Sequence, residues 1–279
     1  AQLRSKIGFI QTLHKEVQDD LNLLNDELTL AANVQQEFMS TDIEDVQGHS
    51  FSSLWRPASV VSGDMYDITQ LDENHVGLFI ADAIGHGISA AMLAMMLTRT
   101  LAANRFDPVE GNFTQPSDLL HHLNRALLER TGESARFATA AYGILNCKTN
   151  ILTFAGAGHP PSLLSKIGAP PLLLESDGPL LGVFEDDTFP QKTIQLEEGD
   201  TLLMYSDGFE GVLGNSEHDN KGIPTYLSTM EEFCKSSGKD VLKGISGFLN
   251  QTGAIEAEDD LTMICMRTNT IPSSLRFAA

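Results

Sequence analysis

Apolar residues recur along the first forty positions in alternating steps of four and three: Leu3, Ile7, Ile10, His14, Val17, Leu21, Leu24, Leu28, Ala31, Gln35 and Phe38, with only His14 and Gln35 polar. No Gly or Pro interrupts the stripe between Phe9 and Phe38. This step keeps one helix face apolar over about five heptads, which is the seam of a coiled coil. At 1.5 Å per residue such a helix is roughly 50 Å long. The pattern therefore predicts a helical linker over residues 1–40 that forms a homodimer through residues 3–38. The plainer alternative is one long helix packed on its own domain. Within a seam, His14 and Gln35 would fix the register at some cost in stability.

After Ser40 the period changes. Val46 to Arg56 reads as a strand leading into Pro57, and Ser62 to Asp67 (SGDMYD) as a turn beside a strand. His75 to Ala81 is a short apolar run with the length of a buried strand, and it ends at Asp82. The small loop Ala83-Ile84-Gly85-His86-Gly87 follows, then helices over Ile88–Ala103 and about Ser117–Arg130, the second announced by Pro116-Ser117. From Phe137 the chain turns strand-rich. ATAAYGILN and ILTFAGAG flank a turn at Lys148-Thr149-Asn150 and read as a hairpin. PSLLSK, PLLLE, KTIQLE and TLLMYS are further strands, helices follow near Ile223–Ser236 and Lys239–Asn250, and LTMICMR is the last strand. Runs of strands with grouped helices point to an α+β sandwich rather than alternating βαβ units.

Charge and cysteine content narrow the function. The 279 residues suit one domain of about 230 residues plus an appendage, or two small domains. A formal net charge of −20 repels phosphate backbones, so no nucleic-acid partner is expected. Cys147, Cys234 and Cys265 stand far apart without a CxxC pair, which argues against a zinc knuckle or a disulfide framework and for a cytoplasmic setting. Ile88–Ala103 is too short to cross a membrane and contains Arg99, so no membrane contact is expected within this chain. The chain starts already inside a helical pattern, which suggests a piece of a longer protein with an upstream sensor or receiver domain.

Aspartates stand at strand ends: Asp82 after LFIA, Asp207 after LLMYS, and Asp259 or Asp260 before LTMICMR, with Asp64 in a glycine turn. Converging carboxylates repel one another unless hard divalent cations bind them, and oxygen-only ligands suit Mg or Mn rather than zinc. Two such ions about 4 Å apart activate a water and clamp a phosphoryl group. GxSxG, Walker A and kinase signatures are absent, which disfavours a serine nucleophile and nucleotide-driven chemistry. Each signal alone is weak, since Asp-Gly and Asp-Asp are common turn sequences. Their order and joint occurrence carry the weight.

RPASVVSGDMYD (56–67), LFIADAIGHGISAAML (78–93), FAGAGHPPSLL (154–164), GPLLGVFED (178–186), EGDTLLMYSDGFEGV (198–212) and EDDLTMICM (258–266) together resemble the PPM family of metal-dependent protein phosphatases, in its bacterial SpoIIE-like branch. AANVQQEFM resembles the helical linker that leads into this domain. The resemblance implies an αββα sandwich of two antiparallel sheets flanked by helices, over residues 41–270 behind the long coiled-coil-like helix, with 271–279 as a tail. It implies a dimetal site of two or more Mn or Mg ions. Asp82 would bridge the ions, the Ala83 carbonyl would be a further ligand, and Asp207 and Asp259 would complete one shell. Asp64 would support the second metal region, which makes Asp82 and Asp64 the catalytic pair. Asp259 is preferred to Asp260 because the family places the ligand first in the pair.

The implied activity is hydrolysis of phosphoserine or phosphothreonine in a STAS-domain protein, an anti-sigma-factor antagonist. The competing reading is a catalytically silent pseudophosphatase that sequesters a partner, and retention of all four aspartates speaks against it. Two departures stand out. Ser62-Gly63-Asp64 replaces the usual Gly-Gly-Asp, and Asn220-Lys221-Gly222-Ile223 stands where a Phe-Gly pattern is common. His86 is not assigned as general acid, because its offset from Asp82 differs from that in the eukaryotic branch. Arg56 and Arg136 are candidates for phosphate binding or for structural roles.

Overall fold

The computed structural model describes residues 2–39, 43–129, 136–214, 224–236, 241–251 and 259–269. In chain order its elements are α1 (Gln2–Phe38), β1 (His49–Arg56), β2 (Asp64–Gln70), β3 (His75–Ala83), α2 (Ile88–Ala103), β4 (Phe106–Asp107), β5 (Asn112–Phe113), α3 (Pro116–Leu128) and β6 (Ala138–Asn146). They continue with β7 (Ile151–Ala157), β8 (Ser162–Ser165), β9 (Leu172–Leu174), β10 (Gln191–Gln195), β11 (Thr201–Tyr205), α4 (Gly208–Val212), α5 (Thr225–Ser236), α6 (Val241–Gln251) and β12 (Leu261–Thr268). The expected loop at Asn220–Ile223, the Glu258 turn residue and the 271–279 tail lie outside the described residues.

Two five-stranded sheets, ordered β1-β12-β11-β8-β9 and β10-β7-β6-β3-β2, face each other with every adjacent pair antiparallel. α2 and α3 pack on the β2/β3/β6/β7 sheet, and α5 and α6 on the β8 and β1 side of the other. This is the expected αββα sandwich. β3 can be apolar on both faces because it has the second sheet on one side and α2 on the other: Leu78, Phe79, Ile80 and Ala81 are all fully buried. α2 carries Ala90, Ala94, Leu97 and Leu101 inward at helical spacing. α3 opens with Pro116 in its first turn, where a missing N–H costs nothing, and buries Leu119, Leu120, Leu123 and Leu127. One apolar cluster fills the space between the sheets and under α2 and α3, and a second lies under α4, α5 and α6. Each fully buried Leu or Phe contributes roughly 1.5–3 kcal/mol.

The strand expected from Val46 begins at His49 instead. Gln47 and Gly48 turn the chain with φ of 46° and 81°, and Val46 pairs back onto His49. The hairpin between β6 and β7 has Asn150 at φ 57°, a left-handed position that Asn tolerates.

α1 divides in two. Ile7, Ile10, Val17, Leu21 and Leu24 are about half exposed or more. Near its end, Leu28 and Ala32 are partly covered, and Gln35 and Met39 are buried. The stripe expected to serve as a seam throughout therefore turns onto its own domain over its last turns, where α1 meets α2. Gln35, expected to set a seam register, is spent inside the domain. Phe38, also expected on the seam, is exposed.

Candidate metal centre at the sheet edge

β2 begins and β3 ends at the same edge of the sandwich, with Asp64 directly opposite Asp82. Directly opposed residues project from the same face, so antiparallel pairing alone brings these two carboxylates together. Asp82 is also opposite Thr139 on β6. The neighbouring backbone is tight. The Ala83 N–H donates to the Gly63 carbonyl at 3.1 Å. A Cβ on Gly63 would sit 2.9 Å from the Ala83 oxygen and 3.2 Å from that of Gly85, so residue 63 must be glycine. Asp207 follows the end of β11 and opens α4, and Asp259 immediately precedes Asp260 and β12. Because β11 and β12 are neighbours, both acids arrive at this same edge from the facing sheet.

The electrostatics report how close the carboxylates are. Asp82 is pushed up to about 7, first by burial and then by the charges of Asp207, Asp259 and Asp260. Asp64 is raised well above the ordinary range, by burial first and by Asp82 next, against which the nearby hydroxyls of Thr262 and Ser206 act. Asp207 is raised by partial burial and by Asp259. None of the ion pairs among the described residues involves Asp64, Asp82, Asp207 or Asp259. The Oδ2 of Asp64 is buried without a hydrogen-bond partner. Four carboxylates, a nearby carbonyl and no cation make a hard-oxygen donor set that fits Mg or Mn. Among the described residues, no three acidic, histidine or cysteine side chains already close around one point, so the carboxylates would have to draw together on binding.

The two members of the Asp259-Asp260 pair do different work. Asp260 accepts hydrogen bonds from Ala58 N–H at 2.7 Å, Ser62 Oγ at 2.7 Å and Gly63 N–H at 2.8 Å, so both of its oxygens hold the loop that carries Asp64. Asp259 is exposed, and among the described residues its Oδ1 accepts the Asp260 N–H at 2.9 Å. Asp260 is thus committed to the loop, while Asp259 stands exposed beside it. Ser62 is used as well, since its hydroxyl donates to Asp260 and accepts the Asp64 N–H at 3.0 Å. A glycine at that position could do neither.

Among the described residues, none of the ion pairs or hydrogen bonds of Arg56 reaches the four carboxylates. The Arg56 guanidinium donates to Asn250 and Ser246 of α6, which ties it to a groove of about 610 Å³ between β1 and α6. These bonds give it a structural role. Arg136 and His86 are exposed, His86 on a loop turned by Gly85 and Gly87 at positive φ. Sequence reasoning quoted His159 only as part of a motif. It is buried, its Nδ1 lies 2.8 Å from the hydroxyl of Thr139, which faces Asp82 across the strand pair, and burial lowers it to about 3, so it stays neutral. The Asp260 clasp has no local signal, because its partners Ala58, Ser62 and Gly63 lie about 200 residues away along the chain.

A profile of the family described as Stage II sporulation protein E matches residues 72–269. The chain belongs to the SpoIIE family. This SpoIIE domain is 29% identical over 261 residues to phosphoserine phosphatase RsbU of Bacillus subtilis (strain 168), covering 93% of this chain and 75% of RsbU. That coverage leaves too few residues to exclude α1, so the similarity runs on into the long helix. Phosphoserine phosphatase RsbP of the same organism is 31% identical over 182 residues, covering 65% of this chain and 44% of RsbP. Among solved structures, the SiaA-PP2C domain of Pseudomonas aeruginosa superposes with a TM-score of 0.71 at 19% identity, covering 88% of this chain and 98% of that one, a likeness of fold. With the family come its enzyme class, protein serine/threonine phosphatase, and its metal dependence.

Proposed function

We propose that this SpoIIE domain hydrolyses phosphoserine or phosphothreonine on a STAS-domain signalling protein, with two Mn or Mg ions held by Asp64, Asp82, the Ala83 carbonyl, Asp207 and Asp259. The observation that carries the reading is the register pair Asp64–Asp82, met at one edge by Asp207 and Asp259 with no described cation to balance them. Bound divalent cations would supply charge neutralisation at the phosphoryl oxygens and an acidified water. The chain's part is positional. Asp82 and Asp64 sit on a rigid strand pair, Asp207 and Asp259 come from the facing sheet, and Asp260 with Ser62 holds the connecting loop. Water adds to phosphorus as the P–O bond to the serine side chain breaks, yielding the free hydroxyl and inorganic phosphate.

The STAS substrate is supported by the resemblance and by phosphoserine phosphatases RsbU and RsbP as relatives. The half-exposed apolar stripe of α1 from Ile7 to Leu24 supports a homodimer through that part of the helix, which an upstream sensor domain would drive, while the last turns of α1 are held on their own domain. No helix among the described residues is long and apolar enough to cross a membrane.

The test is hydrolysis of p-nitrophenyl phosphate and of a phosphoserine STAS protein, with and without Mn, in the parent, Asp82→Ala and Asp207→Ala. Mn-dependent turnover in the parent that is lost in both variants is expected. A parent that neither turns over nor binds Mn would sink the enzymatic reading.

A further inference from the structure

The last turns of α1 place one polar side chain in the core of the domain. Gln35 is fully buried, its Nε2 donates to the Ser62 carbonyl at 2.6 Å, and its Oε1 accepts the Ser62 N–H at 3.0 Å. One side-chain amide thus satisfies both backbone groups of a single residue, much as a neighbouring strand would. Among uncharged side chains only Asn and Gln carry this donor and acceptor pair, and the reach from α1 calls for the longer one. The contact spans 27 residues of chain and lands two positions before Asp64. Ser62 hands it on, since its hydroxyl binds both the Asp260 carboxylate and the Asp64 N–H.

We propose that Gln35 is a positioning residue for the metal centre: it fixes the Ser62-Gly63-Asp64 loop, and through it the Asp64 carboxylate, from a helix outside the sandwich. The proposal rests on the metal-dependent phosphatase reading. Its physical basis is that, among the described residues, Gln35 is the hydrogen-bond partner of both the Ser62 N–H and the Ser62 C=O in that buried position. Withdrawing Gln35 strands both, and an unpaired buried backbone group is costly enough to make the loop move. Asp64 then has to be re-formed by the incoming ions rather than offered to them.

The experiment uses the whole chain and manganese(II) alone as probe. Amide hydrogen exchange over residues 60–66 is measured in the metal-free state, Mn affinity by calorimetry, and Mn-dependent turnover of p-nitrophenyl phosphate, in the parent, Gln35→Met and Gln36→Met. Met keeps length and apolar volume but removes donor and acceptor, and the exposed neighbour Gln36 is the control. In Gln35→Met, faster exchange over 60–66 and Mn binding weakened about ten- to hundredfold are expected, with turnover recovering at saturating Mn. Gln36→Met should match the parent. Should Gln35→Met not fold, Gln35→Asn, one methylene too short to keep both bonds, is expected to show the same pattern at smaller amplitude. A folded Gln35→Met or Gln35→Asn with parental Mn affinity and exchange would overturn the proposal alone. So would turnover that stays low at saturating Mn. A parent that binds no Mn would overturn the phosphatase reading and this proposal with it.

Discussion

Two aspartates on β2 sit three residues apart and are both buried, Asp64 and Asp67, yet they are treated in opposite ways. Being an odd number of residues apart, they point to opposite faces of the strand. Asp67 meets the Arg105 guanidinium, which follows α2, and the Thr69 hydroxyl. Asp64 meets other carboxylates and two hydroxyls, and no cation among the described ion pairs. The first is a structural carboxylate whose charge is balanced within the fold. The second is held in deficit. Burial alone does not tell a functional acid from a structural one; the partner does.

The largest test of this contrast exchanges the two positions in turn. Asp64→Asn should reduce Mn-dependent turnover by about a hundredfold or more while leaving the metal-free protein as stable as the parent or more so, because the cost of burying a carboxyl beside other carboxylates is removed. Asp67→Asn should do the reverse. Breaking a partly buried pair leaves Arg105 uncompensated and should cost about 1–3 kcal/mol in urea denaturation, with Mn affinity unchanged. Equal effects of both substitutions on both readouts would erase the distinction.

A smaller effect is expected from pH. Asp82 rises from 3.8 to about 7 on folding, so between those values the folded protein keeps a proton that the unfolded chain has released. Stability of the metal-free protein therefore falls as pH rises through that window and levels off above it. Calorimetric Tm values from pH 4 to 8 should show this decline, shallower in Asp82→Asn and reduced by saturating Mn. Parallel profiles for parent and variant would contradict it.

The smallest expected effect is at Ser62. Replacing it with the glycine common in this family removes the hydroxyl between Asp260 and the Asp64 N–H and frees the backbone, a change of about 1 kcal/mol, or several-fold in Mn affinity. An unchanged Mn titration for Ser62→Gly would make the hydroxyl incidental.

Much of this architecture was readable because its signals are local. α2 was legible from Ile88 to Ala103, and the hairpin of β6 and β7 from two apolar runs around Lys148-Thr149-Asn150. The β4–β5 ribbon and α4 were not, since pieces of two and five residues are too short to show a period. The candidate acids stood at strand ends in plain view, but the division of labour between Asp259 and Asp260 did not. It depends on Ala58, Ser62 and Gly63, which lie far away along the chain. Gln35 misled for a related reason. A 4-3 spacing describes a helix that faces a twin and a helix that faces its own domain equally well. Only the partner atoms on Ser62 separate the two.

The position of β12 has a consequence for how the protein is made. It lies between β1 and β11, so β1 has no neighbour in its sheet until residues 261–268 have been synthesised. Asp260 then closes a contact with Ala58 across 202 residues of chain. At about 5–20 residues per second, translation leaves β1 waiting on the order of tens of seconds, with an unpaired edge open to holding factors. A nascent chain in that interval has Asp64 and Asp82 but neither Asp259 nor the clasp. The carboxylate edge is therefore incomplete at the ribosome until the last strand of the domain has been made.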